Sequence, residues 1–249
     1  MTVEKHILIQ SDNEKLATTI AIADNDAAPI LLRISGGYIS GHRPNDWQQF
    51  LAKRGITSVA FDFPGVGASA GDLNATNLDI RLEHSQNVYT YIKNHIAHNA
   101  PVYILGVSMG GPIAIHMTQD IDSAGLLLCV CAAYPKDAWS KNFGEPFSYA
   151  IRREYAWQDS DEFAILSQLS CPIFFGSARN DEIIPQSITE KYRNIVQEIR
   201  QVYRVYDAPH AFLRLESEAS AEKMRFWSDV AEFIHSNSSV APDDINEHT

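Results

Sequence analysis

Apolar positions along this chain change period repeatedly, from the runs of strands to the three-and-four spacing of helices. LATTIAIAD (16–24) and PILLRIS (29–35) read as strands. RPNDWQQFLAKRG follows as a helix, with Pro44 and Asp46 as start signals, Trp47, Phe50 and Leu51 as an apolar stripe and Gly55 as a stop. ITSVAFDF (56–63) is the next strand. LDIRLEHSQNVYTYIKNHI (78–96) predicts a helix with Leu78, Leu82, Val88, Ile92 and Ile96 at helical spacing. PVYILG reads as a strand and MGGPIAIHMTQD as a helix. AGLLLCVCAAY, apolar throughout, predicts a strand covered on both faces. CPIFFG, QSITEKYRNIVQEI, QVYRVYD and a helix ending MRFWSDVAEFIH complete the series. Strands alternating with helices imply βαβ units, hence an α/β fold with a mainly parallel central sheet and helices on both faces. One domain is expected over 1–236, and the polar, aperiodic stretch 237–249 predicts a frayed tail.

One segment interrupts this rhythm. About 35 residues (136–170) separate the strand ending near Tyr134 from the one starting at Cys171. They hold Trp139, Phe143, Phe147, Tyr149, Tyr155, Trp157 and Phe163. An insertion at the C-terminal edge of a sheet is where α/β enzymes place lids, so a short cap is expected. A helix pair packed on the core would carry the same aromatics.

Composition narrows the functional classes. A net charge of −11 argues against nucleic acid or an anionic membrane surface as partner. No apolar run approaches the ~20 residues of a membrane span. The first ten residues, MTVEKHILIQ, lack the basic-then-apolar pattern of a secretory signal, and a cytoplasmic location is expected. Cys129, Cys131 and Cys171 show no metal-ligand spacing and read as reduced core residues. No metal or organic cofactor is implied.

The candidate chemistry starts at ILGVSMGG (104–111). Gly106-Val107-Ser108-Met109-Gly110 fits G-x-S-x-G between a strand and a helix, the setting of a nucleophile elbow. The sharp turn crowds the positions two before and two after the serine, and both are glycine. The N–H of Met109 can then point at the oxygen of the carbonyl that the serine attacks. A serine needs a base, and the base a carboxylate. Of the histidines after Ser108, namely His116, His210, His235 and His248, only His210 lies just past a strand. Asp181 lies past the preceding strand, in SARNDEIIP, with Glu182 as a rival acid and Asp137 as a weaker one.

Together these segments resemble the α/β-hydrolase superfamily of serine hydrolases from about Leu16 to Ile234. Asp62-Phe63-Pro64-Gly65-Val66-Gly67-Ala68-Ser69 is similar to the family's D-x-x-G-x-G-x-S turn, SARNDEIIP to its acid loop and APHAF to its histidine loop. The resemblance implies a Ser108–His210–Asp181 triad. Where many members have His-Gly after strand 3, this chain has Ser35-Gly36. By position Gly37 supplies the second oxyanion N–H, with Tyr38 as the alternative. SGGYISGHR is also similar to a stretch in hydrolases associated with exosortase systems, with His42 and Arg43 in the shared pattern. The implied reaction is hydrolysis of a small or medium carboxylic ester, or an acyl thioester, with a small acyl molecule as partner. A ligand-sensing protein with little turnover and an acyltransferase share the same features.

Overall fold

The structure, a computed structural model, describes residues 3–25, 27–37, 46–97, 99–214 and 220–238. Eight strands form one sheet in the order β1-β2-β4-β3-β5-β6-β7-β8. They are β1 (Val3–Ser11), β2 (Glu14–Ile22), β3 (Ile30–Ile34), β4 (Thr57–Phe61), β5 (Val102–Val107), β6 (Gly125–Cys129), β7 (Ile173–Asn180) and β8 (Val202–Pro209). From β4 through β8 all neighbours run parallel, while β2 is antiparallel to both β1 and β4.

Helices α1 (Asp46–Ala52), α2 (Leu78–Ile92), α3 (Gly110–Asp120), α4 (Glu145–Arg152), α5 (Glu162–Gln168), α6 (Gln186–Glu198) and α7 (Ser220–Ser238) cover the sheet. Alternate strand residues feed two apolar cores. Leu32, Ile104, Leu128 and Phe175 pack with α2, α3, α5 and α6, whereas Leu31, Leu105, Leu127 and Phe174 pack with α1 and α7. Every residue of β3 to β6 is buried, because both faces are covered. Among the described residues no helix is long and apolar enough to cross a membrane.

Four differences from the sequence expectations have physical causes. β1 has no counterpart among the expected strands. It is an edge strand with only Ile9 and Ser11 buried, so its sequence carries almost no apolar alternation. The apolar run after Gly125 does not continue as a strand to Tyr134. It stops at Cys129, and Val130 takes a positive φ of 44° that leaves the ladder. The helix expected over 78–96 ends as α at Ile92 and closes in a wider π turn over Lys93–Ala97. Helix α7 runs on through Ser238, into the stretch expected as tail. There the Ser238 hydroxyl donates to the Ile234 carbonyl at 2.8 Å and pairs with the Tyr103 hydroxyl at 2.9 Å.

The insertion is a pair of short helices, α4 and α5, laid on the larger core. Trp139, Phe143, Phe147 and Phe163 are buried there, while Tyr149 and Tyr155 are exposed. Its aromatic rings thus mostly fill the core.

Candidate active site

Ser108 occupies the turn between β5 and α3 with φ +54°, a left-handed conformation rare outside glycine. Neighbouring strands hold it there. Its N–H donates to the Cys129 carbonyl at 2.9 Å, and its carbonyl accepts from Gly111 at 3.0 Å and Ala132 at 3.2 Å. The glycines of the motif are required by close approach. A Cβ on Gly106 would lie 2.6 Å from the Gly110 carbonyl oxygen and 2.7 Å from the Ala114 Cβ, and one on Gly110 would strike the Ile34 carbonyl.

Asp181 is the first residue past β7, and His210 the first past β8. These ends lie on one edge of the parallel sheet, and the structure brings all three side chains into one hydrogen-bonded chain. His210 Nε2 is 3.0 Å from the Ser108 Oγ, and its Nδ1 is 2.9 Å from an Asp181 carboxylate oxygen. With the ring proton on Nδ1, that nitrogen donates to Asp181 and Nε2 accepts from the serine hydroxyl. The Asp181 side chain is only 7% exposed. Burial alone would push its carboxyl up, but the bond from His210 and the N–H groups of Ile184 and Ile183 outweigh burial and hold it below the usual carboxylate range.

Glu182 does not reach the histidine ring. Its carboxylate accepts the backbone N–H of His210 at 3.1 Å. Asp137 lies in the insertion, paired with Lys141 and Arg153. The His116 ring packs at a tilt of 53° against Trp139, and burial lowers its pKa.

The β3 loop packs directly against the serine turn. A Cβ on Gly36 would fall 2.5 Å from the Val107 carbonyl oxygen, 2.7 Å from the Ser108 Cβ and 3.0 Å from the Met109 nitrogen. Only a glycine lets this loop reach the Met109 N–H. Gly37 follows at φ +53°, and among the described residues no atom lies within 4 Å of where its Cβ would be. Tyr38, the alternative donor, falls outside the described residues, as do His42 and Arg43. Ser35 is buried.

Two features of this region escaped the sequence. Arg81 of α2 is buried and donates to the Gly37 carbonyl at 3.0 Å. Its spacing of three from Leu78 was the available signal, since that places it on the buried face. Val130 carries a second left-handed conformation beside Ser108, which no local motif announces. Among the described residues no group of three or more His, Cys, Asp or Glu side chains could hold a metal ion.

Comparison with known proteins agrees with this architecture. A model of the alpha/beta hydrolase family matches residues 35–234. The lysophosphatidylserine lipase of Mus musculus is 25% identical over 191 residues, which cover 70% of this chain and 46% of that protein. The chain therefore spans about half the length of that curated relative. An esterase of Pyrococcus furiosus superposes with a TM-score of 0.69 at 20% identity, covering 96% of this chain and 92% of the other. Est1E of Butyrivibrio proteoclasticus, solved with ferulic acid bound, gives 0.71 at 17% identity over 93% of this chain and 98% of its own. An acylaminoacyl peptidase of Pyrococcus horikoshii gives 0.74 at 12% identity, covering 98% of this chain but 43% of the peptidase. At these identities the structural likeness is one of fold.

Proposed function

This chain belongs to the alpha/beta hydrolase family, and we propose that it hydrolyses carboxylic esters of small or medium acyl chain, or acyl thioesters, through an acyl-enzyme on Ser108. The observation that carries this reading is the chain of contacts from Ser108 Oγ through His210 to Asp181, at 3.0 and 2.9 Å. A serine hydroxyl is a poor nucleophile until a base takes its proton, and His210 Nε2 stands at the distance needed.

In the proposed reaction Ser108 attacks the carbonyl carbon while His210 accepts the serine proton. Asp181 stabilises the resulting imidazolium and keeps the ring in the productive tautomer. The carbonyl oxygen becomes an oxyanion, bound by the N–H groups of Met109 and Gly37. Collapse expels the alcohol or thiol, which takes the proton from His210. Water, deprotonated by the same histidine, then releases the acid. Each oxyanion donor contributes roughly 3 kcal/mol to lowering the barrier, about a hundredfold in rate. The lipase among the similar proteins favours an oxygen ester, and the short insertion favours a small or medium acyl group.

The test is labelling with a fluorophosphonate probe, followed by turnover of esters and thioesters of graded chain length. Labelling of the wild type but not of Ser108→Ala, with turnover above the Ser108→Ala background, supports the reading. A folded wild type that neither labels nor turns over any member of the series refutes it.

A further inference from the structure

The Arg81 guanidinium lies where a core side chain is expected, on the face of α2 that also buries Leu78, Ser85, Val88 and Ile92. Its Cζ sits 4.6 Å from the ring centre of Phe63 and 4.4 Å from that of Phe143. Nη1 donates to the Gly37 carbonyl at 3.0 Å and reaches the Met109 thioether sulfur at 3.3 Å. Phe63 follows β4, and Phe143 belongs to the insertion, where its N–H donates to the Thr76 carbonyl at 2.9 Å near the start of α2. One side chain therefore touches the β3 loop, the residue after the nucleophile, the β4 turn and the insertion.

Burying a cation has a desolvation cost that two ring faces and one carbonyl offset in part. A methionine or leucine would fill the same space without that cost. The contacts at Nη1 suggest why a charge is kept. Among the described residues no atom lies within 4 Å of the Gly37 Cβ position, so none of them holds it by steric contact there. Met109 carries a soft, flexible side chain. An oxyanion donor lowers a barrier only if it is in place before the charge develops. The same Nη1 fixes both residues, and the guanidinium adds positive charge in an interior where screening is weak.

We infer that Arg81 is a positioning residue of the oxyanion hole, clamping Gly37 and Met109 together and coupling them, through Phe143, to the insertion. This rests on the hydrolase reading, because that reading gives Gly37 and Met109 their role.

The test uses the full chain and p-nitrophenyl butyrate, comparing wild type with Arg81→Met and Arg81→Lys, each checked for folding by circular dichroism. Arg81→Met is expected to lower kcat by about 10- to 100-fold with KM changed less than about threefold, and Arg81→Lys to recover part of the loss. Affinity for a trifluoromethyl ketone, which captures the serine as an oxyanion, should fall by the same factor as kcat/KM. A purely structural arginine would lower the melting temperature without that parallel. If Arg81→Met does not fold, Arg81→Lys carries the test, since an ammonium cannot lie flat between two rings. Folded variants with wild-type kcat and ketone affinity overturn the inference and leave the hydrolase reading standing. If the wild type is labelled by a fluorophosphonate but does not cleave this ester, the labelling rates of the same variants decide in the same way. A wild type inert to both removes the two together.

Discussion

Glu182 accepts the backbone N–H of His210 at 3.1 Å, while its neighbour Asp181 accepts the ring of the same histidine at 2.9 Å. Two adjacent carboxylates thus hold one residue by different parts. In the proposed reaction the bond to the ring sets the tautomer and stabilises the imidazolium, while the bond to the backbone steadies the loop. Asp181→Asn is therefore expected to lower kcat by about 10³- to 10⁴-fold, because an amide can hold the ring the wrong way round. Glu182→Gln should cost less than about fivefold, since an exposed contact contributes little. Steady-state rates of the two variants at pH 7 decide the assignment, and a larger loss in the Glu182 variant would reverse it.

Two glycines separate crowding from backbone strain. At Gly36 an added Cβ meets the Val107 carbonyl at 2.5 Å and the Ser108 Cβ at 2.7 Å, neither of which can swing aside. At Gly55, just past α1, φ is +74° but among the described residues nothing lies within 4 Å of an added Cβ. Gly36→Ala is expected to lose about 2 kcal/mol or more of stability and nearly all fluorophosphonate labelling. Gly55→Ala should lose about 1 kcal/mol from left-handed strain alone and label normally. Urea unfolding and probe labelling, run side by side, check both.

The insertion carries its own titration. Glu162, the first residue of α5, is fully buried, and burial pushes its carboxyl up to about 7, its polar neighbours Ser160, Tyr134 and Trp139 offsetting only part of that. The unfolded carboxyl titrates near 4.5, so the native state binds this proton more tightly. Its stabilising contribution is complete below pH 4.5 and is lost as pH rises through 7, about 3 kcal/mol in all. Glu162→Gln should flatten that slope and be the more stable protein at pH 8. Equal slopes in wild type and variant, measured by urea unfolding from pH 4.5 to 8, would contradict it.

The parts of the site that were legible in the sequence are those fixed by local chain geometry. Ser108 stands out because a strand-to-helix turn leaves room only for glycines around it. Asp181 and His210 stand out because each directly follows a strand, and parallel strands deliver their ends to one edge. What stayed hidden depends on contacts distant in the chain. Arg81 sits on an apolar stripe whose period it breaks in polarity but not in spacing, so a hydrophobicity pattern passes over it. The bend at Val130 is invisible because the chain beyond it is just as apolar as the strand before it; only its positive φ of 44° shows the turn. Edge strand β1 buries too little to leave an alternation. The aromatic residues of the insertion suit a core and a pocket equally, so their type alone does not say which they line.

Ser108 and His210 meet across 102 positions of the chain, through strands β5 and β8 with β6 and β7 between them. Pairings so distant form slowly, because loop-closure entropy is lost before any contact compensates for it. Until β8 docks, the serine turn lacks its base. Reactivity at Ser108 therefore reports on the docking of β8. In a refolding time course, fluorophosphonate capture should lag behind the recovery of helical signal, by an interval that measures how long β8 takes to find its place.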